Sequence, residues 1–379
     1  MKNRLYSLID ALLPVFAALA ALLVGAVMLL ILKVNPITAY GALLQGAFGS
    51  TNAIAETLVK ATPLLLIGLG ICIAYRANVI NIGGEGQMIV GALLATWVGL
   101  NFKGLPGWVM IIFAMFAGSF CGSLWGGLPG VLKAYFNVNE ILSTVMMNAI
   151  AVQLMNFFLT GSMIDPSQAK IASQIPQTAR LEEIYRLPRL APTRLHLGAL
   201  IAVILAFLVY ILLWRTTLGY RIRAVGQNAF ASRYAGIKVK RYIVLAMILS
   251  GALSGLAGAV QVYGVNYRMI TDGSATGFTG SAGFNGIVAA LFGQLHPILT
   301  IPASILFGAL SVGANTMQRT VQIPSALIMA LNGLVVVFVV SSEIWRKNRQ
   351  RKRLTVVEAH DDPESQVNDN PAESTERAP

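Results

Sequence analysis

The sequence predicts an all-α integral membrane protein of about ten transmembrane helices. Of its 379 residues, 56% are hydrophobic and 12% charged, about half the charged share of an ordinary soluble domain. The mean hydropathy is +0.68. Apolar runs recur along the chain, most of them close to the roughly 20 residues that carry a helix across a bilayer.

The runs lie near 11–32, 57–75, 84–100, 107–132, 140–160, 195–214, 242–263, 281–295, 298–317 and 323–342. The first is too long for the core of a cleavable signal and long enough to span. The runs at 84–100 and 281–295 are Gly-rich or short, which leaves both a full crossing and a broken, re-entrant helix open. With ten crossings the termini share one side. Placing that side in the cytoplasm puts Lys2, Arg4, Arg76, Lys133, the basic loop 215–241 and the basic run from Arg346 inside, as positive charge distributes in membrane proteins. The net charge of +12 thus reads as topology, with no nucleic-acid partner. Loop 161–194, with Pro166, Pro176, Pro188 and Pro192, falls outside as an ordered or semi-ordered segment. The span-bearing domain covers 1–353. Residues 354–379 hold seven of the sixteen carboxylates without helical periodicity and read as a disordered acidic tail.

Two halves echo each other. Tyr75 and Asn78 precede Gly84-Glu-Gly-Gln-Met-Ile-Val-Gly-Ala92, and Tyr263 and Asn266 precede Gly283-Phe-Asn-Gly-Ile-Val-Ala-Ala290. Transporters built from two related halves place substrate at broken helices between them.

The stretch Asn78-Val-Ile-Asn-Ile-Gly-Gly-Glu-Gly-Gln87 sets amides, glycines and a carboxylate at the mouth of an apolar run. A charge at the bilayer centre costs roughly 3 kcal/mol, so Glu85 faces protein or water. It reads two ways: as a cap or tie between helices, or as a group meeting the transported solute. Asn81, Gln87, Asn148 and Asn285 join it as candidates for a pathway lining. Glu56, Gln153, Asn156, Gln261, Asn266 and Asn315 are more often packing residues one by one. Amides and aromatics with few charges suit neutral hydroxylated solutes better than ions.

The sharpest motif is in the basic loop, Gly226-Gln-Asn-Ala-Phe-Ala-Ser-Arg-Tyr-Ala-Gly-Ile237. A short helix is expected from Asn228, an N-cap residue, to a stop at Gly236. On these residues the chain resembles the permease subunits of ABC importers, in the branch that handles ribose-type sugars, branched-chain amino acids and nucleosides. Asn78 to Gln87, Asn137-Val-Asn-Glu-Ile-Leu-Ser-Thr-Val-Met-Met-Asn148 and Gly280 to Ala290 resemble the nucleoside-type members in particular. The resemblance covers about 57–342. It implies a multi-pass permease in a bacterial cell membrane, working by alternating access. It implies two cytoplasmic ATPases, a second permease and an extracytoplasmic binding protein as partners. The loop residues Gly226, Asn228, Ala231, Arg233, Tyr234 and Gly236 would couple to the ATPase. Ala229 stands where relatives often carry Pro.

No Gly-Lys dipeptide occurs, hence no phosphate loop of the Gly-x-x-x-x-Gly-Lys type. ATP is then used by a partner, this chain binds no cofactor, and no catalytic or metal site is expected. The rival readings are a secondary transporter driven by an ion gradient, for which Glu85 and Glu56 are the thin candidates for an ion site, and a permease for ribose-like sugars.

Overall fold

The computed structural model describes residues 19–102, 104–168 and 175–324, with isolated positions outside those stretches. The chain divides into two compact units, Met1–Met28 with Met329–Pro379, and Leu29–Ile328. Helix α1 (Leu19–Ile31) begins in the first. The remaining helices described below lie in the second. The expected run at 323–342, the basic run from Arg346 and the acidic tail lie largely or wholly outside the described residues.

The second unit is helical, with two isolated β-bridges and no named strand among the described residues. α2 (Pro36–Phe48) was not foreseen. Asn35 caps it by accepting the Ile37 N–H, and Pro36 fills its first turn, where a missing N–H costs nothing. α3 (Thr51–Arg76), α5 (Gly107–Phe136), α6 (Glu140–Thr160), α7 (Leu197–Arg215), α10 (Val239–Gln261) and α13 (Pro297–Val321) are the long helices. These six, with α10 extended to Asn266, are long and apolar enough to cross a membrane. α4 (Gly84–Asn101) carries Glu85 and Gln87 in its first turn and is not among the six, and α12 (Ala282–Phe292) has 11 residues. Both short segments flagged by the sequence are therefore the exceptional ones.

α3 is the central helix. Nearly nine-tenths of its apolar stretch is buried, and α10, α12, α13, α2 and α7 pack around it. α5 shows how the bundle is held. Gly118, Gly122, Gly126 and Gly130 recur every fourth residue, and all four pack inward against α10, chiefly on Met247, Gly251 and Gly255. A Cβ on Gly122 would stand 2.6 Å from the Gly255 Cα. The opposite face exposes Ile112, Phe116, Phe120, Leu124 and Leu128. Small inside and bulky outside inverts the soluble pattern. In lipid, water does not drive helices together, and close backbone approach does.

At one end of the bundle, loop 161–194 is tied to the chain after α10. The amides of Thr178, Leu181 and Leu187 donate to the carbonyls of Met269, Tyr267 and Tyr263, burying Leu181, Tyr185 and Leu187. Beside it Arg194 pairs with Glu56 at 3.3 Å, and His196 caps α7 through Nδ1. Burial, then the Arg194 charge, push the His196 imidazole down to about 4. The other end carries α8 (Thr217–Gln227) and α9 (Ala229–Tyr234).

The glycine stripe predicts a sharp asymmetry. Gly255→Val drives branched carbons into Gly122 and should cost about 1–3 kcal/mol or abolish folding. Gly41→Ala, where the structure leaves open space, should not lower stability. Thermal unfolding in detergent checks both.

Candidate functional site: a helix break held by Asn81, Glu85, Gln87 and Asn148

α3 ends when Asn78 takes a left-handed conformation (φ 56°), which Asn tolerates better than most residues. Seven residues, Ala77 to Gly83, then run without regular structure before α4 begins. The break is inside the protein. Asn81, Glu85 and Gln87 are all buried, and Asn81 bonds Ser250, about eleven residues or roughly 16 Å into α10. Irregular backbone at that depth survives only where protein supplies its partners.

The side chains supply them. Asn81 Nδ2 donates to Ser250 Oγ at 2.8 Å and to Gln87 Oε1 at 3.1 Å. Gln87 Nε2 donates back to Asn81 Oδ1 at 3.1 Å, which also accepts the Gly83 amide at 2.9 Å. Asn148, from α6, accepts the Gly86 amide at 2.8 Å and donates to the Ile82 carbonyl at 3.0 Å. Both faces of the break are thus closed by amide side chains of the break itself and of α6 and by the Ser250 hydroxyl of α10.

Glu85 closes the third side. Its Oε1 accepts the Gly283 amide at 3.0 Å and the Phe284 amide at 3.4 Å. These are free N–H groups of the first turn of α12, whose own N-cap residue, Ser281, makes no side-chain cap. Glu85 is therefore the cap of α12, supplied from another helix. The first turns of α4 and α12 approach closely here, since a Cβ on Gly84 would lie 3.4 Å from the Gly283 Cα. Two positive helix ends meet at one carboxylate. The residue is 2% exposed, and its Oε2 has no hydrogen-bond partner among the described residues.

The sequence-derived candidates divide accordingly. Asn81, Glu85, Gln87 and Asn148 come together and serve as ties. Asn285 does not join them. Its side chain is half-buried with no hydrogen bond among the described residues, next to the half-exposed ring of Phe284. Asn156 holds the loop before α11 (Ala275–Thr279) through Thr271 and Gly273. Glu56 lies at the far end with Arg194. Ser250 was missed. A serine in a small-residue stripe gives no separate sequence signal.

In the basic loop, Asn228 Oδ1 accepts the Ala231 amide at 3.0 Å and caps α9, and Gly236 is left-handed at φ 76°. Tyr234 is 94% and Phe230 78% exposed, and Ala231 and Arg233 are exposed beside them. Gly226 differs. Its Cα packs on the Arg76 carbonyl, where a Cβ would collide. It seats α8 on the end of α3 and is partly covered there.

The ties make distinct stability predictions. Asn81→Ala removes the partners of Gln87, Ser250 and the Gly83 amide and should cost roughly 1–3 kcal/mol. Glu85→Gln keeps an acceptor and loses the charge, for about 1 kcal/mol. Asn285→Ala should leave the unfolding temperature unchanged. All three are read by thermal unfolding of the membrane-extracted protein.

Residues 53–340 match the model of a family described as branched-chain amino acid transport system / permease component. The chain is similar to the guanosine ABC transporter permease protein NupP of Bacillus subtilis, 35% identical over 90% of this chain and 95% of the relative. It is similar to the glucose ABC transporter permease protein TsgB13 of Haloferax volcanii, 32% identical over 89% and 88%. It is likewise similar to the nucleoside ABC transporter permease protein NupB of Lactococcus lactis, 31% identical over 86% and 90%. With six helices fit to cross a bilayer and matches spanning most of its length, the chain belongs to this family and is a multi-pass permease subunit of an ABC importer.

Proposed function

We propose that this chain carries nucleosides inward as half of a translocation pathway powered by a separate ATPase. The observation that carries the cargo is the similarity to a guanosine permease across nine-tenths of the chain. Sugars are the second reading, supported by the glucose permease relative.

The finer topology belongs to the same reading. Ten crossings place both termini in the cytoplasm of a bacterial cell, with α8 and α9 on that side and loop 161–194 outside. The domain is 1–353 and the tail 354–379. α3 and the π-turn extending α10 (Val262–Asn266) each give way to a left-handed residue, Asn78 and Tyr267, ahead of a short helix at the core. This supports two related halves. The chain itself holds no cofactor, and ATP is consumed by its partner.

α9 is the surface for that partner, through Ala231, Arg233 and Tyr234, with Asn228 and Gly236 fixing its ends and Gly226 seating it. A second permease completes the pathway. Relatives occur in twos, NupP with NupQ in Bacillus subtilis and NupB with NupC in Lactococcus lactis. An extracytoplasmic binding protein delivers the solute. Asn285, free of structural bonds, is the pathway candidate that remains open to the solute, while Asn81, Glu85, Gln87 and Asn148 hold the pathway's shape.

Uptake of labelled guanosine, uridine and ribose by cells with and without the chain tests the cargo. Loss of nucleoside uptake on deletion, unaffected by a protonophore at constant ATP, is expected. Uptake abolished by the protonophore alone would overturn the ATP-driven reading. Arg233→Glu should weaken co-purification of the ATPase while leaving the chain in the membrane, and unchanged co-purification would remove Arg233 from the interface.

A further inference from the structure

At the end of the bundle carrying α8, two arginines converge on one ring. Arg76 ends α3, and its guanidinium carbon lies 5.0 Å from the Trp214 ring centroid. Arg223, from α8, lies 5.8 Å from the same centroid. Trp214 stacks on Tyr210 at 5.3 Å, and the His296 ring stands 5.0 Å from Trp214 and 5.4 Å from Tyr210. Four helices, α3, α7, α8 and the start of α13, thus contribute to one basic, aromatic cluster.

Its charges are not balanced. The three ion pairs among the described residues are Lys133 with Glu140, Arg186 with Glu183 and Arg194 with Glu56, and none reaches Arg76 or Arg223. Arg76 Nη2 donates to the Leu295 carbonyl at 3.2 Å. The Arg223 guanidinium has no hydrogen bond among the described residues. Eight buried side-chain polar atoms there lack a partner, and three of them are Arg76 Nε, Arg223 Nε and His296 Nδ1. The ring face answers the charge of a guanidinium but not its in-plane N–H groups. The Nη groups of Arg223, which are not among those buried atoms and have no partner among the described residues, are forked and planar and match the oxygens of a phosphate.

The location points to the source. α7 exposes Leu200, Ile204, Phe207, Leu208 and Ile211 along its length and ends in Tyr210 and Trp214. An apolar outer face that closes on aromatic rings is the pattern of a bilayer boundary. Basic pockets between helices at that level take anionic headgroups.

We propose that Arg76, Arg223 and His296, framed by Trp214, form a binding site for a phosphate group, supplied by an anionic phospholipid whose chains lie along α7. The proposal rests on the chain being a membrane permease and is independent of what it transports.

The test uses the purified transporter complex in nanodiscs of phosphatidylcholine, with or without phosphatidylglycerol, and in phosphatidylcholine with inorganic phosphate added. Thermal unfolding and lipid retained in native mass spectrometry are read together. Phosphatidylglycerol is expected to raise the unfolding temperature and to be retained. Arg223→Gln, which breaks no hydrogen bond within the described fold, should lower that retention about tenfold, the loss of one charge-assisted contact. Arg215→Gln, an exposed arginine nearby in sequence, should leave it unchanged. Equal stabilisation by inorganic phosphate would keep the phosphate site and assign it to a soluble anion. Equal losses in both variants, or retention unchanged in Arg223→Gln with ATPase docking lost instead, would overturn the proposal. The first outcome marks a diffuse surface charge and the second an acidic partner surface. Transport is not read, so failure here leaves the nucleoside reading intact, and failure of uptake leaves this one.

Discussion

A broken helix inside a membrane protein must find a partner for every backbone amide and carbonyl it frees, because lipid supplies none. The side chains around Asn81 and Glu85 meet much of that requirement. Asn81 closes a ring with Gln87 and reaches Ser250. Asn148 answers one amide and one carbonyl of the break. Glu85 answers two amides of the short helix α12. The glycines follow from the same constraint. Gly283 abuts the Glu85 backbone and side chain so closely that a Cβ would stand 2.6 Å from the Glu85 Cγ. No side chain fits between two helix starts that share one carboxylate.

This changes what the polar residues mean. In sequence they look alike, as polar groups scattered through apolar runs. In space they fall into two kinds. The buried kind bonds the backbone and fixes where helices begin. The other kind, Asn285 beside Phe284, has its amide unspent on one flank of the break. On the proposed nucleoside reading, a solute with several hydroxyls would need donors and acceptors that are not already committed, which is a property of the second kind and not of the first.

Much of this was legible in the residues. Long apolar runs located α6 at its bounds and α7 and α10 within three residues, ended α5 and α13 four residues early and started α3 six residues late. Asn228 and Gly236 located α9, because capping chemistry is local. The special status of 84–100 and 281–295 showed in their glycines. What stayed hidden depends on distant partners. α2 is too short and mixed for a hydropathy argument, although Asn35-Pro36 carries its start signal. Ser250 acquires meaning only opposite Asn81, 169 residues away. The choice between capping and contact for Glu85 could not be made before α12 was in place.

The helix break and the basic loop meet at Arg76. Gly226 brings α8 against the Arg76 carbonyl, so the helix next to α9 rests on the last residue of α3 with no side chain between them. The break begins two residues later, at Asn78. Arg76 also holds the Leu295 carbonyl, in the left-handed turn at Gln294 and Leu295 that joins α12 to α13. α4, through the break, and α12, through its far end, are therefore both anchored to one residue that α8 touches directly. Tightly packed interiors transmit displacement because there is little free space to absorb it. Glu85 joins these two lines of contact, since it sits in the first turn of α4 and accepts from the first turn of α12.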